Sequence, residues 1–137
     1  MNFSTETSIT VQFYDLDPMK VVWHGNYIKY LEQARCELLN KIGYTYSDMM
    51  KDGIAYPVAT MELKYIKPCV FNQKIKVITT VEEIEPALII KYLITDEQTG
   101  EKLFKAKTMQ ICFDINNKQS LYEAPANLKK KIACCKV

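Results

Sequence analysis

Asn26-Tyr27-Ile28-Lys29-Tyr30-Leu31-Glu32-Gln33-Ala34-Arg35-Cys36-Glu37-Leu38-Leu39-Asn40-Lys41-Ile42-Gly43 is the stretch on which the fold turns. Within it Tyr27, Tyr30, Leu31, Ala34, Leu38 and Ile42 fall at i, i+3, i+4, i+7, i+11 and i+15, one stripe of a 3.6-residue period. Lys29, Glu32, Gln33, Glu37 and Asn40 take the other side. Gly25 or Asn26 serves as N-cap, and Gly43 suits the left-handed position after the last turn. That predicts a helix of about 16 residues and about 24 Å, at a rise of 1.5 Å per residue. Ile28 and Leu39 widen the apolar stripe, so other structure is expected to embrace this helix on more than one side.

Outward from the helix the period changes. Upstream, Ser8 to Phe13 alternates polar and apolar as a half-buried strand does. It runs into Tyr14-Asp15-Leu16-Asp17-Pro18-Met19-Lys20, a break with two carboxylates and a proline. Downstream, a short helix is expected over Tyr46–Lys51, and after Tyr56-Pro57 the period is two. Ala59 to Ile66 and Lys74 to Val81 alternate. Ala87 to Ile94 is nearly all apolar, as in a more buried strand. Asp96 to Gly100 reads as a turn, Leu103 to Phe113 as the last long strand, and Ala124 to Lys131 as a short terminal helix. The expectation is an α+β domain: one strand, one long helix, then four antiparallel strands curled about that helix. An open antiparallel sheet with the helix on one face is the plainer alternative.

A chain of 137 residues fits a single domain, residues 1–137. Eighteen Lys and Arg against sixteen Asp and Glu give a net charge of +2, too near neutral to argue for a nucleic-acid partner. Arg35 is the only arginine, which weakens any base-reading role further. No apolar run approaches the ~20 residues that span a membrane, and the polar Met1–Thr10 does not resemble a secretory leader. Five cysteines, one histidine and no C-x-x-C pair read as free thiols in a reduced, cytoplasmic protein without a metal centre. Gly-rich phosphate loops are absent from the sequence.

The chemistry-bearing stretch is Tyr14-Asp15-Leu16-Asp17-Pro18-Met19-Lys20-Val21-Val22-Trp23-His24-Gly25-Asn26-Tyr27. It puts a carboxylate, the one histidine, the one tryptophan and a helix start within a short span. Pro18 holds Asp17 extended. The first helical turn offers unpaired N–H groups at the positive end of a macrodipole. Such donors can hold a carbonyl oxygen that becomes negative on attack, and a facing carboxylate can attack that carbonyl or deprotonate a water. Spacing alone does not make Asp17 and the helix start face each other.

Asp15-Leu16-Asp17-Pro18-Met19-Lys20-Val21-Val22-Trp23-His24-Gly25-Asn26-Tyr27, with Leu31-Glu32-Gln33-Ala34-Arg35 and Tyr65-Ile66-Lys67-Pro68, resembles the 4-hydroxybenzoyl-CoA thioesterase-like family. The resemblance covers nearly the whole chain. It implies the hotdog fold, an antiparallel β-sheet wrapped around a long central α-helix, and a thioester hydrolase acting on acyl-CoA or acyl-carrier-protein thioesters. It implies a homodimer or homotetramer with active sites at subunit interfaces. It implies no cofactor, coenzyme A being part of the substrate. Asp17 matches the catalytic carboxylate, as nucleophile or general base. His24 matches the position whose amide polarises the thioester carbonyl. Asp15 matches a carboxylate that is not the main catalyst. Trp23, Gly25 and Tyr27 are expected to line the substrate. Lys20 departs from the family, which commonly has glycine there; it bears on the turn's geometry or on a substrate phosphate.

Each residue also has a plainer reading. Asp17 before proline is a routine turn former, His24 a structural histidine, and Trp23 and Tyr27 packing residues first. Tyr30, Leu31 and Ala34 are core. Cys36, Cys69 and Cys112 read as small apolar fillers, and Lys129-Lys130-Lys131 as a solvated face or a phosphate contact. A hotdog dehydratase or hydratase would carry a His-Phe-Pro-Gly or Asp-x-Asn-x-x-His segment, and neither occurs. A non-catalytic acyl-thioester-binding protein on the same fold is the remaining alternative.

Overall fold

The period-two segments assemble into one antiparallel sheet whose inner face holds the long helix. The structure, a computed structural model, describes residues 3–135. In chain order the strands are β1 (Phe3–Thr10), β2 (Ile54–Ala55), β3 (Val58–Tyr65), β4 (Lys74–Glu83), β5 (Leu88–Asp96), β6 (Lys102–Gln110), β7 (Cys112–Asp114) and β8 (Gln119–Leu121). The helices are α1 (Asn26–Ile42), α2 (Tyr46–Lys51) and α3 (Ala126–Cys134). The large sheet runs β1-β4-β5-β6-β3, and a small sheet runs β2-β7-β8. This is the expected hotdog arrangement.

Period-two burial decides which face meets the helix. Ile75, Val77 and Val81 of β4, Ile90 and Ile94 of β5, and Phe104 of β6 are all fully buried. Against them α1 lays Tyr27, Tyr30, Leu31, Ala34, Leu38, Leu39 and Ile42, the stripe read from the sequence. Gly25 is the N-cap, and Gly43 at φ 88° closes the helix in the left-handed conformation. Thr45 caps α2 by a reciprocal exchange with Asp48.

Several boundaries differ from the sequence reading. The first strand spans Phe3–Thr10, and Phe13 leaves the sheet for a short 3-10 turn, Phe13–Asp15, where it is exposed. The cause is local: an Asp15 carboxylate oxygen takes the Gln12 amide at 2.9 Å and ends the extended run. The last long strand divides at Ile111, whose amide turns to the Pro57 carbonyl at 3.2 Å, and its end becomes β7 of the small sheet. Ile28 is exposed rather than part of the widened stripe, and Cys36 is exposed rather than a filler, whereas Cys69 and Cys112 are buried. Among the described residues no helix is long and apolar enough to cross a membrane.

Leu38 has no exposed surface and sits mid-helix against the sheet. Leu38→Ala is expected to cost about 2–5 kcal/mol of unfolding free energy, read from urea denaturation with an unchanged slope.

Candidate active site

Asp15 is the hub of the segment before α1. It is buried, and its side-chain oxygen accepts both the Gln12 amide and the Tyr30 hydroxyl, the latter at 3.0 Å. Its carbonyl accepts the Trp23 amide at 3.0 Å and the Asn26 side-chain amide at 2.8 Å. Four donors, two of them from α1 itself, thus converge on one residue, which fixes where α1 begins.

Between Asp15 and the helix runs a tight hairpin. Leu16 and Val22 form a bridge, the Asp17 amide donates to the Val21 carbonyl at 2.8 Å, and the Lys20 amide donates to the Asp17 carbonyl at 2.9 Å. A three-residue loop of this kind needs one residue in the left-handed region, and here it is Lys20, at φ 65°. That explains in physical terms why glycine suits the position. Asp17 itself is half-buried, and one of its side-chain oxygens takes the Met19 amide at 2.8 Å. The carboxylate is therefore oriented by its own turn.

The return arm of the hairpin leads straight into the helix start. Trp23 and His24 stack obliquely with ring centroids 5.0 Å apart. A Cβ added at Gly25 would lie 2.3 Å from the Trp23 ring, so the indole covers the glycine closely. Trp23 is nearly half exposed, which corrects the reading of it as a packing residue first. Among the described residues, no protein acceptor takes the amides of His24 and Gly25. No acidic side chain occupies the first turn of α1. The N-terminal partial charge is consequently left free to meet an oxygen from outside the chain.

A cavity of about 230 Å³ opens at this helix start, lined by Val22, His24, Tyr27, Tyr65, Ile66, Lys67 and Pro68. Tyr65, which the sequence reading did not single out as a site residue, donates its hydroxyl to the His24 carbonyl at 2.7 Å. Tyr27 is buried, stacked on Phe104 at 4.7 Å, and its hydroxyl oxygen accepts the Cys69 amide at 3.1 Å. Burial raises the Tyr27 phenol well above its ordinary pKa, so it stays neutral. Tyr30 is raised too, by burial and then by its bond to Asp15. Of the expected site residues, the cavity brings together His24 and Tyr27. Gly25 and Trp23 flank it, and Asp17 stands on the adjoining hairpin outside its lining. Among the described residues, no group of three His, Cys, Asp or Glu side chains could hold a metal ion.

Known proteins place the chain in a family. Residues 11–132 match the model of the thioesterase-like superfamily, and the chain belongs to that family. It is similar to YneP of Bacillus subtilis (strain 168), provisionally assigned as an acyl-CoA thioesterase, at 30% identity over 80% of each chain. It is similar to a DHNA-CoA thioesterase from Staphylococcus aureus, with a TM-score of 0.85 and 29% identity over 96% of this chain and 89% of that one. The acyl-acyl carrier protein thioesterase ATL3 of Arabidopsis thaliana is 24% identical over 92% of this chain and 66% of its own length.

Two substitutions separate framework from chemistry. Lys20→Gly is expected to relieve left-handed strain and raise stability by up to about 1 kcal/mol, whereas Lys20→Ala, strained in the same way, gives no such gain. Asp15→Ala strands the Tyr30 hydroxyl and the Gln12 amide. It is expected to lose about 1–3 kcal/mol, the cost of the one unmet buried group, the Tyr30 hydroxyl. Thermal or urea unfolding checks both.

Proposed function

We propose that this chain is an acyl-CoA thioesterase that polarises the thioester carbonyl at the start of α1. The observation that carries the reading is the pair of amides at His24 and Gly25 without an acceptor among the described residues, at a helix start with no acidic side chain in its first turn and with His24 lining the cavity. A thioester oxygen seated there gains hydrogen bonds and the helix's positive end as negative charge develops on it. The tight turn after Asp17 leaves its second carboxylate oxygen without a partner among the described residues, free for attack or for deprotonating a water. Attack would form a mixed anhydride on Asp17 and release the thiol, after which water returns the carboxylate. Base action would deliver water directly and release acid and thiol in one sequence. His24 contributes its amide, Trp23 and Gly25 shape the entrance, and Tyr27 bounds the acyl pocket. Lys20 holds the turn that aims Asp17.

The thiol handle is coenzyme A, in keeping with the CoA thioesterase among the solved relatives. An acyl carrier protein offers the same thioester, and the likeness to ATL3 supports a carrier-bound form beside it.

Asp17 does not line the single-chain cavity, and the surface beside it is oily. Phe13, Tyr14 and Met19 are each at least three-quarters exposed, and Val70 and Phe71 about half. Exposed apolar side chains grouped this way mark an interface. A second copy seated here would cover them and enclose the carboxylate, so the active form is a homodimer or an assembly of dimers.

Asp17→Asn is expected to leave the fold and its stability intact while lowering turnover of an acyl-CoA panel at least a hundredfold. Free-thiol release measures it, and near-normal turnover removes Asp17 from the chemistry. Single-turnover hydrolysis in oxygen-18 water tests the covalent route: label entering Asp17 marks an anhydride cleaved at its aspartyl carbonyl, which direct water attack on the thioester does not produce.

A further inference from the structure

The outer face of the five-stranded sheet, turned away from α1, carries a charge pattern that hydrolysis at His24 does not use. Lys64 of β3 lies directly opposite Lys105 of β6, and Lys107 of β6 directly opposite Lys91 of β5. Like charges opposed across a ladder destabilise a sheet, so folding alone does not favour the arrangement. Lys91 pairs with Glu82 at 2.8 Å. Among the described residues, Lys64, Lys102, Lys105 and Lys107 form no salt bridge. Glu62 faces Lys107 in the register without closing on it.

These lysines rim an open groove of about 520 Å³ floored by Ile78 and Leu93, which pair across β4 and β5 and are half-buried. Five lysines and one carboxylate line the groove in a chain whose net charge is only +2. The charge is therefore gathered on this face. A second copy of the chain would bring the same cations face to face. One small anion would leave most of them unmet, since they span three strands set about 4.8 Å apart. An acidic protein surface with an apolar residue among its carboxylates meets both the rim and the floor.

The groove adjoins the candidate active site through a single strand. Lys64 projects from β3 to the outer face, and the next residue, Tyr65, turns inward to the His24 carbonyl. We propose that this outer face docks an acidic acyl carrier protein, which presents its acyl thioester around the β3 end to the cavity at His24. The docking rests on thioester hydrolysis at that cavity.

The test compares one acyl group carried on coenzyme A, on pantetheine and on acyl carrier protein, with wild type and with Lys105→Glu/Lys107→Glu. That variant turns both lysine oppositions into opposite-charge pairs and sets one new acid–acid opposition at Glu62; Lys105→Gln/Lys107→Gln, which adds no acid, serves if its sheet does not fold. The expected result is a rise of at least tenfold in KM for the carrier-bound thioester, with kcat and the kinetics on the two small thioesters unchanged. Binding of the carrier protein alone, followed by fluorescence anisotropy, is expected to weaken equally in the variant and with added salt. Carrier kinetics and binding indifferent to the variant overturn the docking face. So does a KM rise confined to coenzyme A, which would assign the lysines to its phosphates. Should wild type cleave none of the thioesters while lysine-dependent carrier binding persists, the hydrolase reading falls and the docking stands.

Discussion

Everything at the start of α1 depends on Asp15 being satisfied. A buried carboxylate is tolerated only when donors meet it; here the Gln12 amide just after β1 and the Tyr30 hydroxyl from the second turn of the helix reach the carboxylate, while the Trp23 amide on the hairpin's return arm reaches the same residue's carbonyl. Because those donors belong to different elements, satisfying one residue fixes their mutual positions. The hairpin between Leu16 and Val22 is then held at both ends, which limits where Asp17 and the His24 amide can lie. A site that must keep two groups within a few tenths of an ångström gains from being built on such a clamp. The two aspartates of one short motif thus differ in setting: the buried one organises the segment, and the half-buried one keeps a carboxylate oxygen without a partner among the described residues.

The helix itself shows a related division. Its oily stripe is locked into the sheet over most of its length, and its C-terminus is closed by Gly43. Its N-terminus has a glycine N-cap without any side-chain bond and no acid in the first turn. A serine or aspartate cap in place of this glycine would add only about a few tenths of a kcal/mol, would bring a Cβ against the Trp23 ring, and would fill the amides with an oxygen from the chain itself. Burial elsewhere offsets that loss readily, since a single core leucine contributes more. Leaving the amides open is inexpensive for stability and is the condition for polarising a ligand. The hairpin follows the same logic: Lys20 accepts left-handed strain to keep the turn that orients Asp17.

Much of this was legible in the residues, because period and punctuation are local. The stripe from Tyr27 to Ile42, the closing Gly43, the short helix at Tyr46–Lys51 and the alternating strands each follow from side chains a few positions apart. The cluster from Asp15 to Tyr27 located the candidate site for the same reason. What escaped was set by distant partners. Ile111 looked like the middle of one long strand, but the Pro57 carbonyl and the short β2 pull the chain into a second sheet. Phe13 fitted an alternating pattern, but capping by Asp15 ended the strand before it. Tyr65 supports His24 across a sequence separation of 41 residues, a spacing no periodicity announces. Trp23 was expected to pack, yet the Gly25 beneath it lets the ring lie flat along the surface instead.

The distribution of cations carries the argument one step further. The single arginine is the one base taken into the core: Arg35 is 3% exposed, donates to the Tyr46 hydroxyl at 2.9 Å and the Tyr92 hydroxyl at 3.2 Å, and pairs with Glu32. A planar guanidinium can satisfy its donors in fixed directions, which is what burial between a helix and a sheet demands. Burial and three partners thus remove it from any role toward external anions. The lysines lie on the other side of the same sheet, where flexible stems and hydrated heads avoid the cost of fixed pairing. Tyr92 faces Arg35 inward while its strand neighbours Lys91 and Leu93 face outward. One strand therefore serves a closed polar core on one side and an open basic groove on the other, and only the open side has charge left to offer a partner.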